Sequence, residues 1–224
     1  MMQRRTKLIT NVETQEPIVA LTFDDGPHPE HTPRVLHVLE KYHAKATFFM
    51  VGKAARKYPE LVRKVAEAGH AIGNHSWNHP FLPRVHSRFR RLQQIWSCGR
   101  ALAPYGQKLF RPPFGAQNDQ VLFDAKLLRY KVIMWNVSAQ DWVPQRSDEI
   151  AQKMINRLKP GNIFLLHDTI CDRKAPETDF DREPMIQGLD QAISFLNSRI
   201  HFVTVPALLL AGKPVSNWPI LHQP

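Results

Sequence analysis

Short apolar runs alternate along this chain with stretches of helical periodicity, and that alternation limits the possible folds more than any other feature of the sequence. Ile18 to Phe23, Ala46 to Val51, Ala71 to Gly73, Lys108 to Phe110, Val132 to Val137, Asn162 to Leu166 and His201 to Val205 read as strands. Thr32 to His43, Pro59 to Ala68, Arg84 to Arg100, Asn118 to Arg129, Ser147 to Leu158 and Pro184 to Leu196 read as helices. Pro59 opens one of these, Gly69 closes it, and Asn118 suits the cap of another. Strands alternating with helices imply a mainly parallel sheet, and about seven such units predict an α/β fold of closed or nearly closed barrel type. In such a barrel chemistry gathers where the strands end. We expect one domain over residues 17–212, an N-terminal extension over 1–16 and a C-terminal tail over 213–224.

At 224 residues the chain can bury a substantial core without disulfides or a structural metal. Only Cys98 and Cys171 occur, far apart, so neither a disulfide framework nor a thiolate metal site is expected. The start, Met1 to Lys7, is basic but followed only by Leu8-Ile9, too short for the apolar core of an export signal, and no run is long enough to span a bilayer. The compartment therefore stays open. A formal charge of +10 draws polyanions, whether anionic wall polymer, phospholipid surface or nucleic acid. The densest basic stretch, Arg84 to Arg100, carries Phe89, Leu92, Ile95 and Trp96 at roughly helical spacing, which reads as an amphipathic helix with a solvated cationic face. No zinc finger, RNA-binding signature or aromatic-basic interleave accompanies it, so nucleic acid is not the expected partner.

Five motifs fall at or just after predicted strand ends. Thr22-Phe23-Asp24-Asp25-Gly26-Pro27 sets two carboxylates before a strand breaker. Alternating side chains let both acids face one site only where the pleat is broken, so the pair is either an acidic turn or a divided site, one acid holding a cation and the other moving protons. Asn74-His75-Ser76-Trp77-Asn78-His79 spaces two histidines four residues apart, the spacing of one side of a helical turn. Joined to a carboxylate, they make a two-histidine, one-carboxylate set with open coordination positions. Phe110-Arg111-Pro112-Pro113-Phe114-Gly115 sets a guanidinium beside a rigid corner: either a strand cap, or an arginine that fixes an Asp while the corner aims a backbone N–H into the site. Ser138-Ala139-Gln140-Asp141-Trp142 and Phe164-Leu165-Leu166-His167-Asp168 complete the series. His167 is either a satisfied core residue or a group that faces the cation from the opposite side.

With these five motifs in order, the chain from Pro17 to Leu210 resembles the polysaccharide deacetylases of the NodB-homology type, carbohydrate esterase family four, whose fold is a distorted (β/α) barrel. The resemblance implies that Asp25, His75 and His79 hold a divalent ion, usually Zn2+, with Co2+, Ni2+ or Mn2+ as alternatives. It implies Asp24 as catalytic base, His167 as catalytic acid, Arg111 orienting Asp24 and Asp141 orienting His167. The backbone N–H of Phe114 is the implied oxyanion donor, and Trp142 and Leu165 the implied walls of the acetyl pocket. The family often carries Asp at the position of Ser138 and Tyr at that of Phe114; neither departure touches an implied ligand, acid or base.

The expected activity is removal of acetyl groups from N-acetylglucosamine units of a peptidoglycan- or chitin-type chain, with acetylated glycan as partner and anionic cell-wall polymer as a further one. O-deacetylation of xylan or another glycan is the runner-up, since both reactions pass through a tetrahedral oxyanion. A non-haem iron oxygenase shares the ligand set but usually calls for a different, all-β fold. A non-catalytic carbohydrate-binding relative is expected to lack Asp24 or His167, and both are present. The polar stretch from Asp168 to Glu183, with Asp172, Arg173, Lys174, Glu177, Asp179 and Asp181, is either an exposed connection or a rim that helps select the sugar.

Overall fold

The computed structural model describes residues 8–171 and 180–218. Met1 to Lys7, the proposed rim residues Asp172, Arg173, Lys174, Glu177 and Asp179, and the last six residues lie outside the described ones. In chain order the elements begin with β1 (Leu8–Ile9), β2 (Asn11–Glu13), β3 (Ile18–Asp24), α1 (His31–Lys41), β4 (Ala46–Met50), α2 (Gly52–Lys57), α3 (Pro59–Glu67) and β5 (Ala71–Asn74). They continue with α4 (Arg88–Ala101), β6 (Leu109–Phe110), α5 (Asp119–Leu127), β7 (Lys131–Ile133), β8 (Val137–Ser138) and α6 (Ser147–Arg157). The last are β9 (Ile163–His167), α7 (Glu183–Leu196), β10 (His201–Phe202), α8 (Val205–Leu210) and β11 (Lys213–Val215).

The main sheet runs β1-β7-β6-β5-β4-β3-β9-β8, with β10 beside β3, and its ladders are parallel. The single strand expected from Val132 to Val137 is in fact two: β7 lies next to the edge strand β1, and β8 is the edge at the other end of this order. Met134 N–H donates to Ile9 O of β1, whereas Asn136 N–H, two residues on, donates to Ile163 O of β9. The chain thus crosses the open seam itself and makes the sheet a distorted barrel. Leu8–Ile9 and Asn11–Glu13, expected in an extension, are sheet strands: β1 extends the main ladder beside β7, and β2 pairs antiparallel with β11. Strands so short leave little periodic signal to read.

Strand β3 positions everything that follows. All seven of its residues are buried. Val19, Leu21 and Phe23 point outward into the core shared with the helices. Ile18 and Ala20 point inward with Phe49, Leu109, Ile133 and Ile163. Two-sided burial gives the continuous apolar run expected of a parallel strand, and period-two alternation then puts Thr22 and Asp24 on the inner face at its carboxyl end. Caps fall where the sequence sets them. Asn118 Oδ1 accepts from Val121 N–H at 3.0 Å to start α5, and Gly69, at φ +79°, follows the end of α3.

Helix α4 departs from expectation. Its buried face is Arg91, Ile95 and Cys98, while Phe89 and Trp96 are 74% and 56% exposed. Arg91 can lie inside because its Nε donates to buried Asp124 at 2.7 Å and its Nη1 to Val85 O. An apolar residue count cannot distinguish that arrangement from an ordinary amphipathic helix.

Candidate active site

Parallel register brings the motifs to one end of the barrel. Asp24 pairs with His167 across β3 and β9 and with Phe49 of β4, whose neighbour Met50 pairs with Asn74, which in turn pairs with Phe110. Asp24, Asp25, His75, Arg111 and His167 therefore stand on adjacent strand ends although far apart in sequence.

Arg111 has no exposed surface. Its Nη1 donates to Asp24 Oδ1 and Thr22 Oγ1, both at 2.7 Å, its Nε to Ile133 O at 3.1 Å and its Nη2 to Met134 O at 2.9 Å. Thr22 Oγ1 in turn donates to Phe164 O at 2.8 Å. The guanidinium lies 4.2 Å over the Phe49 ring. A buried cation is tolerable only with this degree of pairing, and removing one partner typically costs about 3–5 kcal/mol. Asp24 is thereby held by one oxygen, and its other oxygen, Oδ2, lies 3.7 Å from His75 Nε2.

The break in the pleat falls at Asp25 itself, whose φ is +78°. Among the described residues, five of the seven non-glycine positions with left-handed backbone lie in or beside this site: Asp25, Ser76, His79, Phe114 and Gln140. Each costs on the order of 1 kcal/mol or more, so the surrounding bonds must fix them. Gly26 N–H donates to buried Asp168 Oδ1 at 3.1 Å, and Thr32 Oγ1 donates to the other Asp168 oxygen. A Cβ at Gly26 would fall 2.7 Å from Asp168 Cγ, so the approach requires glycine there. Burial pushes the Asp168 carboxyl up to about 7, against the hydrogen bonds from Thr32 and Gly26.

His75 and His79 share no helical turn; they lie in a loop that passes through left-handed Ser76 and ends at left-handed His79. Asn74 shapes it, accepting from Ser76 N–H at 2.9 Å while its amide nitrogen donates to Ile95 O at 2.7 Å. The result still brings both Nε2 atoms to one carboxylate oxygen, Asp25 Oδ1, at 3.3 Å from His75 and 3.2 Å from His79. These three ligand atoms all lie within 4.8 Å of one another and all three residues are buried.

Their chemistry fits a cation. His75 Nδ1 sits 2.8 Å from Arg111 O, which can only accept, so the proton is on Nδ1 and in the neutral ring Nε2 presents a lone pair. Burial pushes His79 down to about 4, with His75 adding to the fall and Asp25 opposing it, so His79 is also neutral at pH 7. Burial raises the Asp25 carboxyl, but the histidines around it, His79 foremost, then His75 and His167, outweigh burial and hold the group below the usual carboxylate range. Asp25 Oδ2 accepts from Cys171 N–H at 2.8 Å, whereas Oδ1 has no hydrogen-bond partner among the described residues. A buried, unpaired carboxylate oxygen beside two imidazole nitrogens is a donor set that suits a divalent ion.

At the neighbouring end of β9, His167 Nδ1 lies 3.1 Å from Asp141 Oδ1, and His167 N–H donates to Asp141 Oδ2 at 2.8 Å. Burial disfavours the charged ring, but Asp141, and beyond it Asp25 and Asp24, raise its pKa to about 9. Arg182, which nothing in the sequence marked, donates to Asp141 Oδ2 and, at 2.8 Å each, to Asp141 O and His167 O. Asp168 and Arg182 are the site residues that motif reading missed. The first is the last residue of the fifth motif, where no role was assigned to it, and the second lies near the end of the polar stretch with no positional signal.

Around the mouth, Phe114 is 58% exposed with its ring 4.4 Å from that of His79, and Trp142 is 46% exposed, nearly perpendicular to His167 at 5.5 Å. Leu165 is buried, two residues before His167 and thus on the same face of β9. Ser138 pairs with Leu165 across β8 and β9.

The profile of the family described as polysaccharide deacetylase matches residues 11–133. A peptidoglycan-N-acetylglucosamine deacetylase of Bacillus cereus is 35% identical over 198 residues, covering 87% of this chain and 69% of that protein. A chitooligosaccharide deacetylase of Azorhizobium caulinodans is 36% identical, covering 67% and 73%. Among solved structures, the peptidoglycan deacetylase PdaC from Bacillus subtilis superposes with a TM-score of 0.77 at 31% identity, covering 89% of this chain and 93% of that one.

Proposed function

The chain belongs to the polysaccharide deacetylase family, and from that premise we propose that it is a metal-dependent hydrolase releasing acetate from N-acetylglucosamine units of a peptidoglycan- or chitin-type glycan. The observation that carries this reading is the convergence of Asp25 Oδ1, His75 Nε2 and His79 Nε2, with an anchored second carboxylate, Asp24, beside them. In this reading the three residues hold a divalent cation, zinc before cobalt, nickel or manganese. When bound, that ion supplies Lewis acidity, lowering the pKa of water and polarising a carbonyl oxygen.

The chain's own residues divide the rest. Asp24, fixed by Arg111 through Oδ1, keeps Oδ2 to accept a proton from the attacking water. Phe114 N–H donates to the carbonyl oxygen as negative charge builds there, a contribution worth about 3 kcal/mol for one such donor. His167 uses Nδ1 on Asp141, which leaves Nε2–H to protonate the nitrogen as the C–N bond breaks. Acetate and a free amine are the products. Trp142 and Leu165 wall the acetyl methyl, and Arg182 holds Asp141 in place for His167. That the relatives are peptidoglycan-N-acetylglucosamine and chitooligosaccharide deacetylases favours N-acetyl over O-acetyl substrates. Acetate release from a panel of N-acetylglucosamine oligomers, peptidoglycan and acetylated xylan tests the reading, with release from the first two and none from xylan expected.

The acid must be protonated to act, so turnover falls as pH rises through the His167 pKa of about 9. Asp141→Asn removes the carboxylate that raises it. The alkaline limb of kcat should then move to lower pH, with kcat at pH 7 down about tenfold to a hundredfold. An unmoved limb would show that another group titrates there.

A further inference from the structure

The formal charge of +10 is gathered on one part of the fold. Residues 52–131 hold fifteen Lys and Arg against four Asp and Glu, whereas the remainder of the chain holds fifteen against sixteen. From Gly69 to Asn118 no acid occurs at all. This stretch supplies α2, α3, α4 and α5, and α4 packs against both α2 and α5. Two of its four acids are already engaged. Asp124 is buried against Arg91 at 2.7 Å and Arg88 at 3.2 Å, and Glu67 pairs with Arg63 on α3.

The same region exposes large apolar side chains. Phe89 is 74% exposed, Trp96 56%, Phe123 52% and Leu127 53%, all on α4 and α5. Phe89, Gln93, Trp96 and Arg100 recur at helical spacing along the solvent side of α4. The Arg88 guanidinium lies 4.8 Å over the Phe123 ring and so joins the two helices, and Arg100 lies 5.7 Å over Trp96. Arg84, just before α4, covers Phe81 at 5.2 Å, whose ring is 6.2 Å from that of Phe114 at the site mouth.

A soluble polyanion uses the arginines but gains nothing from four exposed apolar side chains. An anionic bilayer uses both, because headgroups pair with the cations while Phe, Trp and Leu enter the acyl boundary. We propose that the face formed by α4 and α5 docks on the surface of an anionic phospholipid membrane, independently of the reaction assigned above.

The test is cosedimentation of the full chain with vesicles of phosphatidylcholine containing about one third phosphatidylglycerol, beside vesicles of phosphatidylcholine alone. Anionic vesicles should pellet the protein and neutral ones should not. Arg90→Ala with Arg100→Ala should weaken partitioning on the order of 25-fold, about fivefold per arginine. Phe89→Ser with Leu127→Ser should weaken it about tenfold with the charge intact. Circular dichroism and melting confirm that each variant is folded. No pelleting on anionic vesicles would overturn the proposal. It would equally be overturned if the apolar variant bound vesicles like the parent while soluble teichoic acid bound as tightly as they do, since the face would then be a polyanion site.

Discussion

Asp24→Asn should lower kcat for acetate release about 10²- to 10⁴-fold while leaving bound metal at the parent level. The substitution keeps the shape but removes the only charge that can take a proton on Oδ2, and it leaves Asp25, His75 and His79 untouched. It also deprives fully buried Arg111 of its anionic partner, so a stability loss of a few kcal/mol is expected and kcat must be taken per folded molecule. Metal analysis, acetate release and melting on one preparation separate these effects. A folded, metal-loaded variant with more than about a tenth of the parent rate would remove Asp24 from the role of base.

The opposite pattern is expected at the proposed ligands. His79→Ala or His75→Ala should lose the ion and, with it, turnover on the order of 10³-fold or more. Ligand loss has a thermodynamic signature that a catalytic defect lacks. An ion bound only to the folded state raises the melting temperature, so chelation should lower it in the parent and leave it unchanged in His79→Ala. If His79→Ala retained a full complement of metal, the cation would be held elsewhere.

The sequence carried the barrel's strand-helix alternation because two-sided burial of β3, β4 and β9 writes continuous apolar runs, and helices with a proline start or an Asn cap announce their ends. It carried less of the seam. Met134 to Asn136 read as the middle of one strand, because apolar content says nothing about which neighbour a backbone N–H will meet. At the site, Asp24, Asp25, His75, His79, Arg111, Asp141 and His167 come together as their motifs suggested. The geometry that unites the histidines differs: left-handed Ser76 and His79, braced by Asn74, replace the helical turn. Arg182 was invisible because it sits within a polar stretch, 41 residues from the aspartate it holds, and only tertiary structure brings the two together.

The protonation pattern follows from the same packing. His79 is neutral because it is buried, whereas His167, somewhat less enclosed, is raised because Asp141 lies against its Nδ1. Burial at one histidine and a carboxylate at the other thus leave two histidines of one site in opposite protonation states at pH 7, which is the division of labour the proposed mechanism requires.

The most direct measurement strips the protein with a chelator, returns zinc in substoichiometric steps and follows acetate release from N-acetylglucosamine oligomers. Release should vanish on stripping and return in proportion to bound ion, levelling at one ion per chain. Acetate release at the untreated rate from protein holding less than about a twentieth of an ion per chain would contradict the account.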